Sequence, residues 1–164
     1  MTAPRVLVAG VGNVFLGDDG FGVEVVRRLA GRTPPEARVA DFGIRGFDLA
    51  YTLLDEYDLV ILIDAARRGG PPGTLYLLEP EQPHSDGAPP ETHGMVPTRA
   101  IRMARAMGAA VERLLLVGCE PESFGEPGLG RMGLSPAVSA AVDEAVSLVD
   151  GLVRRHLNLQ PLHH

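Results

Sequence analysis

The chain carries a small set of side chains whose types could do chemistry together. Two adjacent carboxylates, Asp18 and Asp19, follow a short apolar run that breaks at Gly10 and Gly12. A third, Asp64, closes Leu59-Val-Ile-Leu-Ile63, the most apolar run in the chain. An ionised, unpaired carboxylate so close to a buried strand is costly, so Asp64 calls for a cation, a hydrogen-bond cluster or a metal. His93 supplies an imidazole, and Gly94 beside it lets backbone approach a site. Two carboxylates and an imidazole make a mixed oxygen and nitrogen donor set. Such a set suits a divalent ion such as Zn, Ni or Mn better than Cu(I). Three protein ligands leave positions open for water or substrate, as hydrolytic metal sites require. Asp64, His93 and one of the Asp18-Asp19 pair are the candidates for such a set. Plainer roles fit their neighbours. Asp18 suits a helix start, His84 lies among polar residues, and His156 follows Arg154-Arg155 at a helix end. Cys119 reads as a small buried residue after a strand, with no second ligand at metal spacing.

The glycine turn is not a phosphate cradle. A dinucleotide fingerprint needs a small residue three positions after Gly12, where Phe15 stands. Asp18 and Asp19 would also repel a pyrophosphate at the helix N-terminus. Asp41, at the end of a second strand, could bind a ribose, which keeps a nucleotide-binding domain among the alternatives.

The elements that must position these residues follow from periodicity. Strands are expected at about Arg5–Ala9, Ala37–Asp41, Leu59–Ile63, Thr74–Leu78 and Leu114–Gly118. Helices are expected at about Asp19–Ala30, with Val23, Val26, Leu29 and Ala30 on its apolar face and Gly31 at its end. A second runs at about Phe47–Leu54, with Phe47, Leu49, Ala50 and Leu53 inward. A third starts at Pro97 or Thr98 and stops at Gly108. The last starts at Ser135-Pro136, a good cap and first residue, and carries Val138, Val142, Val146, Val149 and Val153. The pattern predicts an α/β three-layer sandwich: an approximately five-stranded, mostly parallel twisted sheet with helices on both faces. The third connection is too short for a crossover helix, so the fourth strand is expected to be antiparallel or reached by an irregular crossing. In such sheets ligands bind beyond the carboxyl ends of the parallel strands, where Asp19, Asp41 and Asp64 all fall.

The 164 residues suggest one domain over 1–164 with room for a real core. The formal net charge of −6 argues against nucleic acid or an acidic membrane surface as partner. No apolar run reaches a membrane span, and the direct lead of the first residues into a strand predicts no signal peptide. The single cysteine fits a reducing, cytoplasmic setting. The terminal His163-His164 reads as a solvated tail or tag remnant.

Together the motifs resemble a known family. Gly10-Val-Gly12-Asn13, Asp18-Asp19-Gly20 and Gly22, then Asp64-Ala65, His93-Gly94-Met95, Val117-Gly118 and Pro121-Glu122-Ser123 are similar, in this order, to the hydrogenase maturation proteases. The resemblance implies a peptidase that trims the C-terminal extension of a [NiFe]-hydrogenase large-subunit precursor after nickel insertion. It places the family's metal-contacting positions on Asp19, Asp64 and His93, which would engage nickel held by the precursor rather than a permanent zinc; another divalent metal is compatible with the donors. It places the turn linked to substrate recognition on Asp41-Phe-Gly43-Ile-Arg45-Gly46. Two alternatives join the nucleotide-binding domain: a non-catalytic metal-delivery or assembly factor using the same three residues, and an α/β domain whose acids are only caps. The last predicts that Asp19, Asp64 and His93 lie scattered.

Overall fold

The computed structural model describes residues 5–79 and 95–159. Its centre is a five-stranded sheet in the order β2-β1-β3-β5-β4. The strands are β1 (Val6–Val11), β2 (Ala37–Gly43), β3 (Leu59–Ala65), β4 (Leu75–Leu78) and β5 (Arg113–Cys119). β1 pairs in parallel with β2 and β3, and β3 with β5. β4 runs antiparallel along β5. This settles the fourth strand as the antiparallel alternative, consistent with its short approach from β3.

The residues of β1 and β3 are buried along both faces, which is why these strands read as continuous apolar runs rather than alternating ones. The period of two still sorts their side chains. Val6, Val8, Ile61 and Ile63 join α1 (Phe21–Leu29) and α4 (Pro136–His156) in one core cluster. Leu7, Ala9, Val11, Val60 and Leu62 join α2 (Gly46–Leu53) and α3 (Met95–Ala106) in the other. The helices therefore cover both faces, giving three layers. The valines expected on α4 are all buried. Ser135 caps that helix, its Oγ accepting from Val138 N at 3.5 Å, and Pro136 occupies the first turn, where it needs no donor.

Three expectations shift. Ala30 is exposed: α1 ends at Leu29, and Arg32 N donates to Leu29 O at 2.9 Å across a turn in which Gly31 takes φ +79°. Phe47 is 67% exposed, so only Leu49, Ala50 and Leu53 of the expected inner face of α2 point inward. α3 begins at Met95, ahead of Pro97, which a first turn tolerates. Among the described residues, no helix is long and apolar enough to cross a membrane.

The sheet order reverses at β1. The chain passes from β1 to β2 on one side and returns to β3 on the other, leaving a crevice beyond the carboxyl ends of β1 and β3.

Candidate active site

The crevice is built on glycines that let helix and strand backbones touch. A Cβ at Gly22, in the first turn of α1, would collide with the carbonyl oxygens of Ile63 and Val11. A Cβ at Gly10 would collide with Gly22 O. These contacts seat the start of α1 directly on the ends of β1 and β3. Gly12 adopts φ +134°, open to glycine and strained for other residues. A side chain there would run into Asp19 O and stand 3.5 Å from Asp64 Oδ1. Asp19 and Asp64 thus converge on one glycine although they are distant in sequence.

Asp64 is 3% exposed and accepts a hydrogen bond from Ala65 N at 2.8 Å. Burial, and then the charge of Asp19, push its carboxyl well above the ordinary value. Asp19 is half-buried, and its Oδ2 accepts from Asn13 N at 2.9 Å. Burial raises its carboxyl too, against the lowering effects of the Asn13 N–H and the Arg67 guanidinium. Two carboxylates of like charge with few donors form a site that gains when a cation arrives.

The rim continues at the turn after β2. Asp41 Oδ1 accepts from Gly43 N at 2.8 Å, the Arg45 guanidinium donates to Asp41 O, and Gly43 takes φ +53°. Gly12 N donates to Gly43 O at 2.9 Å, so this turn hangs on the same glycine that Asp19 and Asp64 approach. Gly46 opens α2 behind it.

Asp18 has a different job from its neighbour. It is 1% exposed and does not cap its own helix start. Its Oδ2 accepts from Glu122 N at 2.8 Å, Ser123 N at 3.1 Å and Ser135 Oγ at 2.8 Å, while Oδ1 accepts from Ser135 N at 2.7 Å. Burial alone would raise its carboxyl, but these donors together hold it below the ordinary value. Asp18 does secure a helix start, that of α4, and it ties the loop after β5 to the turn after β1.

Glu120 repeats this pattern across the crevice. It is 6% exposed, and its Oε1 accepts from Tyr76 Oη at 2.7 Å, Arg68 N at 2.8 Å and Gly70 N at 3.1 Å. Burial opposes its charge, but those donors keep the carboxyl below its ordinary value. Residue types and spacing do not single out Glu120. Its signal was the one that marked Asp64, an acid closing an apolar run. Cys119 is fully buried, as expected, with a thiol pushed up to about 12 by burial and then by the Asp18 and Glu120 charges.

His93 lies outside the described residues, as do His84, His163 and His164. Among the described residues, no group of three His, Cys, Asp or Glu side chains could hold a metal ion. The structure thus brings together Asp19 and Asp64, with the Asp41 turn alongside.

Comparison with known proteins decides the family. The hydrogenase maturation protease family model matches residues 23–151. The chain belongs to the hydrogenase maturation protease family. It is 31% identical over 153 residues to the hydrogenase 2 maturation protease of Escherichia coli, covering 92% of this chain and 91% of that one. It is 35% identical over 147 residues to the hydrogenase expression/formation protein HupD of Rhodobacter capsulatus, covering 87% of this chain and 68% of that protein. Its fold matches that of the hydrogenase maturating endopeptidase HybD from Escherichia coli with a TM-score of 0.76 at 28% identity, over 93% of each chain. Membership makes the chain a hydrolase of the endopeptidase class, and the shared fold is the five-stranded α/β sandwich described above.

Proposed function

We propose that this protein removes the C-terminal extension of a [NiFe]-hydrogenase large-subunit precursor after nickel insertion, with the nickel presented as part of the substrate. The observation that carries this reading is that the Asp19 carboxylate accepts from Asn13 N while Asp64 Oδ1 lies beside Gly12, so both carboxylates meet the Gly12-Asn13 turn at the crevice between β1 and β3. Family membership supports the reaction class. Each carboxyl is driven upward by burial, and Asp64 further by Asp19, so a divalent cation relieves both at once. His93, two positions before α3, completes the donor set in this reading. The same donors accept other divalent ions, and specificity for nickel then lies with the precursor.

In this mechanism Asp19, Asp64 and His93 fix the precursor's nickel, and with it the neighbouring peptide, at the rim. Holding the scissile bond against the attacking water replaces a bimolecular encounter by a positioned one. The nickel supplies Lewis-acid polarisation of the peptide carbonyl or of the water. Asp41, Gly43 and Gly46 form the turn that recognises the substrate, anchored to the site through the hydrogen bond from Gly12 N to Gly43 O. The reaction belongs to the cytoplasm in this reading, where a precursor is assembled before export or use.

The test is incubation of the protein with nickel-loaded and nickel-free precursor, followed by intact mass measurement. Tail loss from the loaded precursor alone is expected. Asp19→Ala, Asp64→Ala and His93→Ala are each expected to abolish it. Normal processing by these variants would overturn the site assignment, and binding without cleavage by the wild-type protein would favour an assembly factor.

A further inference from the structure

The substrate's nickel balances Asp19 and Asp64 at the crevice, and peptide cleavage then adds a charge of its own. Negative charge develops on the carbonyl oxygen as water adds, beyond what the nickel and the two carboxylates cancel between them. A nearby cation from the protein would answer this, and one is held in place. Arg67 is exposed just beyond β3, and its guanidinium carbon lies 4.3 Å from the centroid of the Phe124 ring. Both sides of this contact stand on backbone that is tied down. Ala66 N donates to Cys119 O at 2.9 Å and Arg68 N to Glu120 Oε1 at 2.8 Å, so Arg67 is fixed between two anchors on the end of β5. Ser123 N donates to Asp18 Oδ2 at 3.1 Å and Gly125 N to Ser123 Oγ at 2.9 Å, which brackets Phe124 in the same way.

The guanidinium packs over the ring, a contact that does not use its N–H donors. Among the described residues, no carboxylate lies within 4.0 Å of Arg67 to take them. Arg67 stands three positions after Asp64, and Phe124 follows Ser123, which is bonded to Asp18, the neighbour of Asp19, so the pair sits on the rim that carries both carboxylates. The neighbouring Arg68 points elsewhere, over Tyr76 at 5.8 Å.

We propose that Arg67, held on Phe124, is a catalytic residue that stabilises the oxyanion formed on the scissile peptide carbonyl of the precursor. The inference rests on the endopeptidase reading. A water oxygen bonds to the carbonyl carbon and gives up a proton, and the carbonyl π pair moves onto oxygen beside the guanidinium. Collapse restores the carbonyl and breaks the C–N bond. The leaving amine takes up a proton, so one water is consumed and one acid and one amine are formed. A preorganised cation aimed at that oxygen favours the transition state over the ground state and so acts on kcat.

The experiment measures kcat and KM for tail removal from the nickel-loaded precursor. Arg67→Ala is expected to lower kcat about 10²-fold, the scale of losing one oxyanion donor, with KM within about twofold and thermal stability unchanged. Arg67→Lys is expected to recover part of kcat, because it keeps the charge but not the planar stack. Phe124→Leu, which keeps apolar bulk but removes the aromatic face, is expected to lower kcat several-fold with KM unchanged. Wild-type kcat in Arg67→Ala, or an effect confined to KM, overturns the inference while leaving the protease reading intact. Failure of the wild-type protein to cleave the loaded precursor overturns both.

Discussion

Among the described residues, four buried or half-buried carboxylates, Asp18, Asp19, Asp64 and Glu120, crowd the carboxyl end of this sheet, and their hydrogen bonds divide them. Asp18 and Glu120 are each met by several donors and are held below the ordinary carboxyl range despite burial. Asp64 is as buried but has the Ala65 N–H against burial and the Asp19 charge, and it moves the other way. The signs matter for stability. Asp18 and Glu120 contribute stability that is present above the ordinary carboxyl value and lost as pH falls through their lowered values. Asp64 is the reverse: its folded state binds a proton more readily than the unfolded chain. Its contribution is complete below 3.8, the unperturbed value, and is lost as pH rises through its raised value. Asp64→Asn removes that dependence. The metal-free variant is expected to melt above wild type at pH 7, with the difference closing below about pH 4, while tail removal is lost. A gain of ~1 kcal/mol would appear as about 2–4 °C in a chain of this size. Calorimetry at the two pH values checks this, and an Asp64→Asn melt at or below wild type at pH 7 would contradict it. Asp64 was legible in the sequence because a carboxylate closing an apolar run is costly wherever the run goes. Glu120 carries the same mark, but its donors come from a distant loop and from Tyr76, so nothing local separates a structural acid from a cation-seeking one.

At the scale of elements, the strand and helix pattern could be read because period sorts apolar residues onto faces. The α4 valines and the β3 run are the clearest cases. The misplaced residues stand at helix ends. Ala30 lies past the last turn of α1, and Phe47 lies in the first turn of α2, where a helical pattern is too short to define a face. Strand order was not legible. It depends on which face each crossover takes, and that is decided by packing between distant segments. What the sequence did carry was the glycine spacing, although the reason for Gly22 emerges only in three dimensions: α1 sits so close to β1 and β3 that a methyl group would strike two carbonyl oxygens. Gly22→Ala is therefore expected to push the start of α1 off the sheet, costing about 1–3 kcal/mol as an overpacked contact. The helix carries Asp19 at its entry, so tail removal should fall by more than the loss of folded protein explains. Urea denaturation and activity on the same samples separate the two effects, and an unchanged midpoint would show that the close approach is not needed.

The whole molecule can be followed through its one cysteine. Cys119 ends β5 in the core cluster shared with α1 and α4, has no exposed surface, and holds a thiol pushed up to about 12. A thiol in that state is a poor nucleophile and is out of reach of reagent, so modification requires the structure around β5 to open. The two acids beside it suggest which opening that is. Asp18 joins the β1 turn, the loop after β5 and the start of α4, while Glu120 joins β5 to β4 and the loop after β3. Separating β5 from α4 breaks the Asp18 clamp, and the rest of the fold has little reason to survive it. Alkylation of Cys119 at pH 8 should then track global unfolding rather than a local fluctuation. Asp18→Ala strips the acceptor from three backbone N–H groups and the Ser135 hydroxyl, a loss of about 3 kcal/mol at the scale of charged hydrogen bonds. With each 1.4 kcal/mol worth a factor of about ten, labelling should accelerate about 10²-fold, in step with the fall in equilibrium stability. If labelling accelerates while the denaturation midpoint stays put, the end of β5 opens by itself, and the clamp holds the site without holding the fold.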